Sequence, residues 1–290
     1  MSRGESGVCH VNESRSIVRK TIRTLRDEGP SAAAIKAARR GKFVVNVAAA
    51  TWTLRPEARR MRSLRESVDF AFGFAVGEVT IWPAQVRSEI TALLELLEVE
   101  PPRNVLEIGT ARGGTLFLLS RVASADARLA SIDLPGGNFG GGYERIWVPL
   151  LKTLPRSRQT LKLMRADSHA SRTYHETRRW LAGEQLDFLF VDGDHSFEGI
   201  RGDFLKYGAL VRTDGLIAIH DIVPGSEDTV GGVPKFWKVV KNAYETRELV
   251  EDWDQGGYGI GVVRVSADGI DSEGSLFNAA TAGDSGDRLA

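Results

Sequence analysis

This chain of 290 residues has a single cysteine, Cys9, so no disulfide can form within it. A lone thiol in a polar leader suits a reducing compartment and excludes the disulfide-stapled secreted class. An excess of one charge sign is also missing. The 38 Lys and Arg balance 38 Asp and Glu, giving a formal net charge of +0. Such a balance supplies no global attraction to nucleic acid or to an anionic membrane. No apolar run approaches the roughly 18 residues of a membrane span. The first residues carry Glu5, Asn12 and Glu13 and no apolar core segment, which does not fit a secretory signal. These absences point to a cytoplasmic enzyme or binding domain. The 42% hydrophobic and 26% charged content is ordinary for a globular fold with a sizeable core.

What is present is a strand, a tight turn and a helix in succession. The run Val105-Leu106-Glu107-Ile108 ends in Gly109-Thr110-Ala111-Arg112-Gly113-Gly114-Thr115, and Leu116 to Val122 follows as a helix. Small residues in such a turn let backbone N–H groups and a ligand come close. The carboxylate of Glu107 repels a pyrophosphate and suits a hydroxylated or cationic ligand. The glycines run G-x-x-x-G-G, which is not the G-x-G-x-x-G of dinucleotide folds. That spacing argues against a nicotinamide-dependent oxidoreductase.

Beyond this turn the alternation is regular. Strands are expected at Asn104–Ile108, Arg128–Ile132, Leu161–Arg165, Leu186–Val191 and Leu216–His220, with helices between them. This pattern predicts an α/β fold with a parallel sheet covered on both faces. A helix over Ser88–Leu97 precedes the first strand. Helix Lys235–Thr246, a short segment Glu248–Glu251 and a final strand Tyr258–Val265 close the fold, the last strand running antiparallel. The expected organisation is a leader and helical extension over 1–87, the main domain over 88–265, and a Gly-, Ser- and Asp-rich disordered tail over 266–290.

The extension is basic. Lys36, Arg39, Arg40, Arg55, Arg59 and Arg62 are among its cations, Val18, Ile22 and Leu25 recur at helical spacing, and Ser31–Ala38 is alanine-rich. It reads as a solvated amphipathic helix, or as a face for an acidic partner, a lipid surface or a second copy in a homo-oligomer. RNA is disfavoured by the neutral net charge and the lack of a base-stacking motif. The aromatic, apolar stretch Val68–Trp82 can cap the core, form a subunit contact or wall a substrate pocket. The loop Leu134–Tyr143, long and glycine-rich, is either a closing flap or an ordinary connection.

In an open parallel sheet, ligands collect beyond the carboxyl ends of the strands. The second strand ends in Asp133, placed to accept hydrogen bonds from both ribose hydroxyls of an adenosine, or to cap a turn. The fourth strand ends in Val191-Asp192-Gly193-Asp194-His195-Ser196, and the next in His220-Asp221-Ile222. If these strands are neighbours, about 4.8 Å apart, Asp192 and His220/Asp221 converge. Unpaired carboxylates at that separation repel, and a divalent cation, magnesium or manganese, relieves the repulsion. The competing reading makes Asp194 and Asp221 caps and His195 a loop residue.

The segment Glu-x-Gly-x-Ala-x-Gly at 107–113 resembles the first motif of class I S-adenosylmethionine-dependent methyltransferases, with Ala111 where many members carry glycine. Val-Asp-Gly-Asp-His-Ser at 191–196 and His-Asp-Ile at 220–222 resemble a subgroup of the metal-dependent small-molecule O-methyltransferases. The likeness spans roughly Ser88 to Val265. It implies a Rossmann-like, doubly wound seven-stranded sheet whose last strand is antiparallel. It implies that Glu107, Gly109, Gly113, Gly114, Asp133, Asp167 and Ser168 seat S-adenosylmethionine, with Asp167 and Ser168 near the adenine. By the same likeness Asp192, His220 and Asp221 hold a cation, magnesium above all, and His195 stands where relatives carry a lysine base. The expected reaction is O-methylation of a small-molecule hydroxyl on a secondary metabolite, phenol or sugar. A non-catalytic nucleoside-binding or scaffolding protein is the non-enzymatic alternative.

Overall fold

The computed structural model describes residues 30–136 and 142–271. The leader with Cys9, the helical spacing of Val18, Ile22 and Leu25, the centre of the 134–143 loop and the tail from 272 lie outside the described residues. The described residues open with helices α1 (Pro30–Ala58) and α2 (Leu64–Gly73), then a two-stranded hairpin, β1 (Ala75–Val76) and β2 (Val79–Thr80), and helix α3 (Arg87–Val99). Strand β3 (Asn104–Ile108), helix α4 (Gly114–Val122) and strand β4 (Arg128–Asp133) follow. After them come α5 (Val148–Leu151), β5 (Thr160–Arg165), α6 (Ser171–Leu181), β6 (Leu186–Val191), α7 (Phe197–Gly208) and β7 (Val211–His220). Helices α8 (Glu227–Val230) and α9 (Val233–Ala243) lead to strands β8 (Glu245–Leu249) and β9 (Ile260–Arg264).

The main sheet has seven strands in the order β5-β4-β3-β6-β7-β9-β8. Strands β3 to β7 pair in parallel, and β9 runs antiparallel to both β7 and β8. This is the expected seven-stranded α/β sheet with its last strand antiparallel. Chain order reverses between β4 and β6 on either side of β3, so the crevice for a ligand lies at the C-terminal ends of β3 and β6. Glu107 pairs with Ser131 on one side and with Phe190 on the other.

Alternate residues of the strands feed two cores, as the two-residue period requires. Val105, Phe188 and Phe190 pack with α1 to α4, and Leu106, Leu189, Val191 and Ile219 pack with α6, α7 and α9. The stretch 68–82 caps the first core. Val68, Ala71, Phe74, Val79 and Ile81 are buried, and the Phe70 ring lies 5.4 Å from Phe117. Helix α1 packs through Val47, Ala50, Leu54 and Ala58, while Trp52 on its other side is exposed. No helix among the described residues is long and apolar enough to cross a membrane.

One sequence expectation is corrected. Helix α9 ends at Ala243, and Glu245–Leu249 is an edge strand paired with β9 from Glu245↔Arg264 to Leu249↔Ile260. The segment Glu-Thr-Arg-Glu-Leu faces solvent at most positions, so it lacks the apolar pattern of the inner strands. Backbone pairing to β9 overrides its weak local preference. Trp237 of α9 is core, its indole N–H donating to Glu248 Oε1 at 2.7 Å.

Candidate active site

The glycine turn is tied to the sheet on both sides. Gly109 N donates to Ile132 O at 2.9 Å, and Asp192 N donates to Ile108 O at 2.8 Å. Gly109 has φ 86°, and a Cβ there would overlap the Asp192 carbonyl. A Cβ on Gly114 would overlap the carbonyl of Ile81, so the segment 81–85 runs directly over the start of α4. These two glycines are required by close backbone crossings as well as by any ligand. Gly113 precedes α4 as its N-cap. Ala111 adopts φ 45°, the left-handed conformation that a glycine would take at no cost.

Two buried acids flank this turn. Glu107 is fully buried and accepts from Thr110 Oγ1 at 2.6 Å, while its Oε1 has no hydrogen-bond partner. Burial pushes its pKa well above the usual carboxylate range, with the charges of Asp133 and Asp192 adding to the rise. Asp133 Oδ2 accepts from Thr110 N at 3.2 Å, Ala111 N at 2.9 Å and Tyr143 N at 3.4 Å. Burial raises the Asp133 pKa against the pull of those backbone donors. Asp133 thus braces the turn as well as standing at the end of β4.

The end of β5 behaves differently. Asp167 accepts from His169 N at 2.8 Å and its side chain is half exposed. Ser168 Oγ donates to Asp203 Oδ2 at 3.1 Å, and the Tyr207 hydroxyl donates to Ser168 O at 2.8 Å. Ser168 is therefore held by α7, and Asp167 is the more open of the pair.

The ends of β6 and β7 bring Asp192, His195, His220 and Asp221 together. His220 Nδ1 lies 3.1 Å from Asp192 Oδ1 and 3.4 Å from Asp221 Oδ2. His195 Nε2 lies 3.5 Å from Asp192 Oδ1 and 3.5 Å from Asp221 Oδ2. The other ring nitrogen, Nδ1, lies 2.5 Å from the Thr229 carbonyl, so it carries the proton in that contact. Asp221 takes φ 64° and accepts from Tyr258 N at 3.1 Å, which turns its carboxylate back toward Asp192. Asp194 is elsewhere: it accepts from Ser196 N at 2.9 Å, and Ser196 caps α7. Ser196, not Asp194, is therefore the cap of α7, and Asp221 faces the cluster.

The electrostatics follow from this packing. Burial opposes the Asp192 charge, but His220 and His195 outweigh it and hold the carboxyl far below its usual range. Burial also opposes charge on both imidazoles, and Asp192 and Asp221 more than offset it, raising His195 and, to a greater extent, His220. Donor atoms of Asp192, His195 and Asp221 all lie within 4.8 Å of one another. Two carboxylates and one imidazole fit a divalent cation with mixed oxygen and nitrogen preference. His220 Nε2, buried without a partner, adds an orphaned donor or acceptor beside them. The ligand-capable group therefore includes His195, which the sequence reading placed as a base.

Two residues of this neighbourhood escaped the sequence reading. Gln85 Nε2 donates to Asp192 Oδ2 at 3.0 Å, and Gln85 Oε1 accepts from Thr115 Oγ1 at 2.6 Å. Glu89, buried on α3, accepts from Glu251 N at 3.1 Å, Gly259 N at 2.9 Å and Gln255 Nε2 at 2.8 Å, which fixes the loop carrying Tyr258. A signal existed only for Glu89, a charge one turn before Leu93 on the apolar face of its helix.

Residues 106–222 match a family described as a methyltransferase domain. The O-methyltransferase TomG from Streptomyces achromogenes, involved in tomaymycin synthesis and solved with SAM, is 17% identical over 72% of this chain and 91% of that one, with TM-score 0.49. The O-methyltransferase from Bacillus cereus, solved with SAH, is 17% identical over 71% of this chain and 92% of that one, with TM-score 0.47. The glycine turn and the acidic ends of β6 and β7 all lie within the matched span, so residues 106–222 are similar to a methyltransferase domain.

Proposed function

We propose that this protein transfers a methyl group from S-adenosylmethionine to a hydroxyl of a small molecule, with a divalent cation at the strand-end cluster. The observation that carries this reading is the convergence of Asp192, His195 and Asp221 beside the glycine turn. Glu107, Asp133 and Asp167 are the acids that suit a hydroxylated, cationic nucleoside, and Gly109, Gly113 and Gly114 keep the turn narrow. The unpartnered Oε1 of Glu107 supports the assignment, because a buried acceptor without a donor is costly. Ser168 contributes by fixing the loop after β5.

Transfer to oxygen needs an in-line approach and a hydroxyl that loses its proton. Asp192, Asp221 and His220 would hold the cation, which when bound lowers the acceptor pKa and fixes its direction. His195 is oriented by its Nδ1–H contact to Thr229 O, which turns Nε2 toward Asp192 and Asp221, where it would take up the hydroxyl proton. Asp192 and Asp221, each 3.5 Å from Nε2, stabilise the imidazolium that results. A second assignment, His195 as the third ligand, is favoured by the same short distances.

The test is calorimetry with S-adenosylmethionine, with and without magnesium, followed by a screen of hydroxylated phenols and sugars. Turnover should vanish in chelator and return with the metal, and full activity in chelator would reject the cation. His195→Ala separates the two assignments. As a base, its loss slows the chemical step and leaves cation affinity intact; as a ligand, cation affinity falls with it.

A further inference from the structure

The arginines of the N-terminal extension do not surround this centre. Three of them, Arg55, Arg59 and Arg62, converge at the end of α4 remote from the glycine turn. Helix α4 starts at the glycine turn, and its last turn, with Arg121, lies roughly 12 Å farther along at 1.5 Å per residue. There a cavity of about 430 Å³ opens between the end of α1, the start of α2 and the 153–157 turn. Arg55, Arg59, Arg62, Arg121 and Arg156 line it. The carboxylate on its wall is Glu98, and none of these arginines forms an ion pair with it or with another carboxylate among the described residues.

Two of the cations are partly buried and locked in place. Arg121 stacks over the Phe117 ring at 4.6 Å, and donates to Ser120 Oγ at 3.0 Å and to the Leu154 carbonyl. Arg156 donates to the Ala123 carbonyl, and its buried Nε has no partner. These bonds hold two guanidinium groups in one neighbourhood without neutralising either. Burial and the Arg156 charge together pull Arg121 down to about 10, which registers the cost of the unmatched charge. Ser63 and Ser157 on the same wall add hydroxyl donors. Forked guanidinium donors match phosphate oxygens, and the volume lies within the range of small-molecule sites.

We propose that this cavity binds a small phosphate ester or diphosphate at a site separate from the methyl-transfer centre. The ligand would neutralise Arg121 and Arg156 and draw Arg55, Arg59 and Arg62 inward. It would thereby clamp α1 and α2 onto the helix that begins at the glycine turn.

Titration calorimetry of the full chain with sodium pyrophosphate tests this, at fixed ionic strength and in chelator. The chelator keeps a magnesium complex of the probe away from Asp192 and Asp221. Saturable binding is expected, with a higher unfolding temperature and unchanged affinity for S-adenosylhomocysteine. The exposed pair Arg59→Ala/Arg62→Ala should weaken pyrophosphate at least about tenfold, because charge-assisted phosphate contacts are lost. Arg156→Ala should weaken it further, and Arg179→Ala, an exposed arginine on α6, should leave it unchanged. No saturable binding to the unaltered chain overturns the proposal, as does equal affinity in the Arg59/Arg62 double variant. Competition between pyrophosphate and S-adenosylhomocysteine also overturns it, since the probe would then occupy the donor pocket.

Discussion

Asp203 on α7 has no exposed surface, and its contacts are Ser168 Oγ at 3.1 Å and His169 Nε2 at 3.5 Å. Burial pushes its carboxyl from 3.8 up to about 6, against the pull of His169, Ser168 and Lys206. Because the folded value lies above the unfolded one, the folded state binds the proton more tightly. The associated stability is fully present below pH 3.8 and is lost as pH rises through about 6. The gap between the two values corresponds to about 3 kcal/mol. Asp203→Asn keeps the shape and removes the charge. The variant should match the natural chain near about pH 4 and exceed it by up to about 3 kcal/mol near about pH 7.5. Urea unfolding across that range, followed by tryptophan fluorescence, gives the difference directly. A difference that does not vary with pH, or one favouring the natural chain at the upper end, would refute the reasoning. It would show that His169 and Lys206 fully compensate the buried carboxylate.

Asp221→Asn removes one of the two carboxylates facing His195, so Mn²⁺ affinity measured by electron paramagnetic resonance should fall at least about tenfold, given what loss of a supporting group alone does; unchanged affinity would remove Asp221 from the cation site. Gln85→Leu leaves Thr115 Oγ1 and Asp192 Oδ2 each short of a partner, and urea unfolding should record a loss of about 1–3 kcal/mol. An unaltered midpoint would mean that water replaces the amide without cost. Gly114→Ala drives a Cβ into the Ile81 carbonyl and should cost about 1–3 kcal/mol in urea unfolding. Gly41→Ala, on an exposed stretch of α1 with nothing near its Cβ, should instead stabilise by about 0.5–1 kcal/mol. Equal effects at the two glycines would remove the crowding argument.

The inner strands were legible because burial on both faces writes them as continuous apolar runs. Asn104–Ile108 and Leu186–Val191 have the bounds expected of them. Strand β8 was not legible, because Glu245–Leu249 lies at the sheet edge and its side chains carry no core pattern. The acids at the strand ends were legible for a topological reason: parallel strands of one sheet end on one side. What each acid does there was not. Asp192 and Asp194 stand two residues apart in one motif, yet Asp194 turns back to Ser196 while Asp192 meets His220.

The local chemistry of the chain therefore settles which residues form strands, where a glycine turn feeds a helix, and which strand ends are acidic, since these depend on neighbours within a few positions. Tertiary structure alone decides that Gln85 reaches Asp192 across 107 positions, that His195 Nε2 stands equidistant from two carboxylates, and that arginines scattered from Arg55 to Arg156 enclose one cavity. Those arrangements arise from the crossing of remote segments over the sheet, and chain spacing holds no record of a crossing.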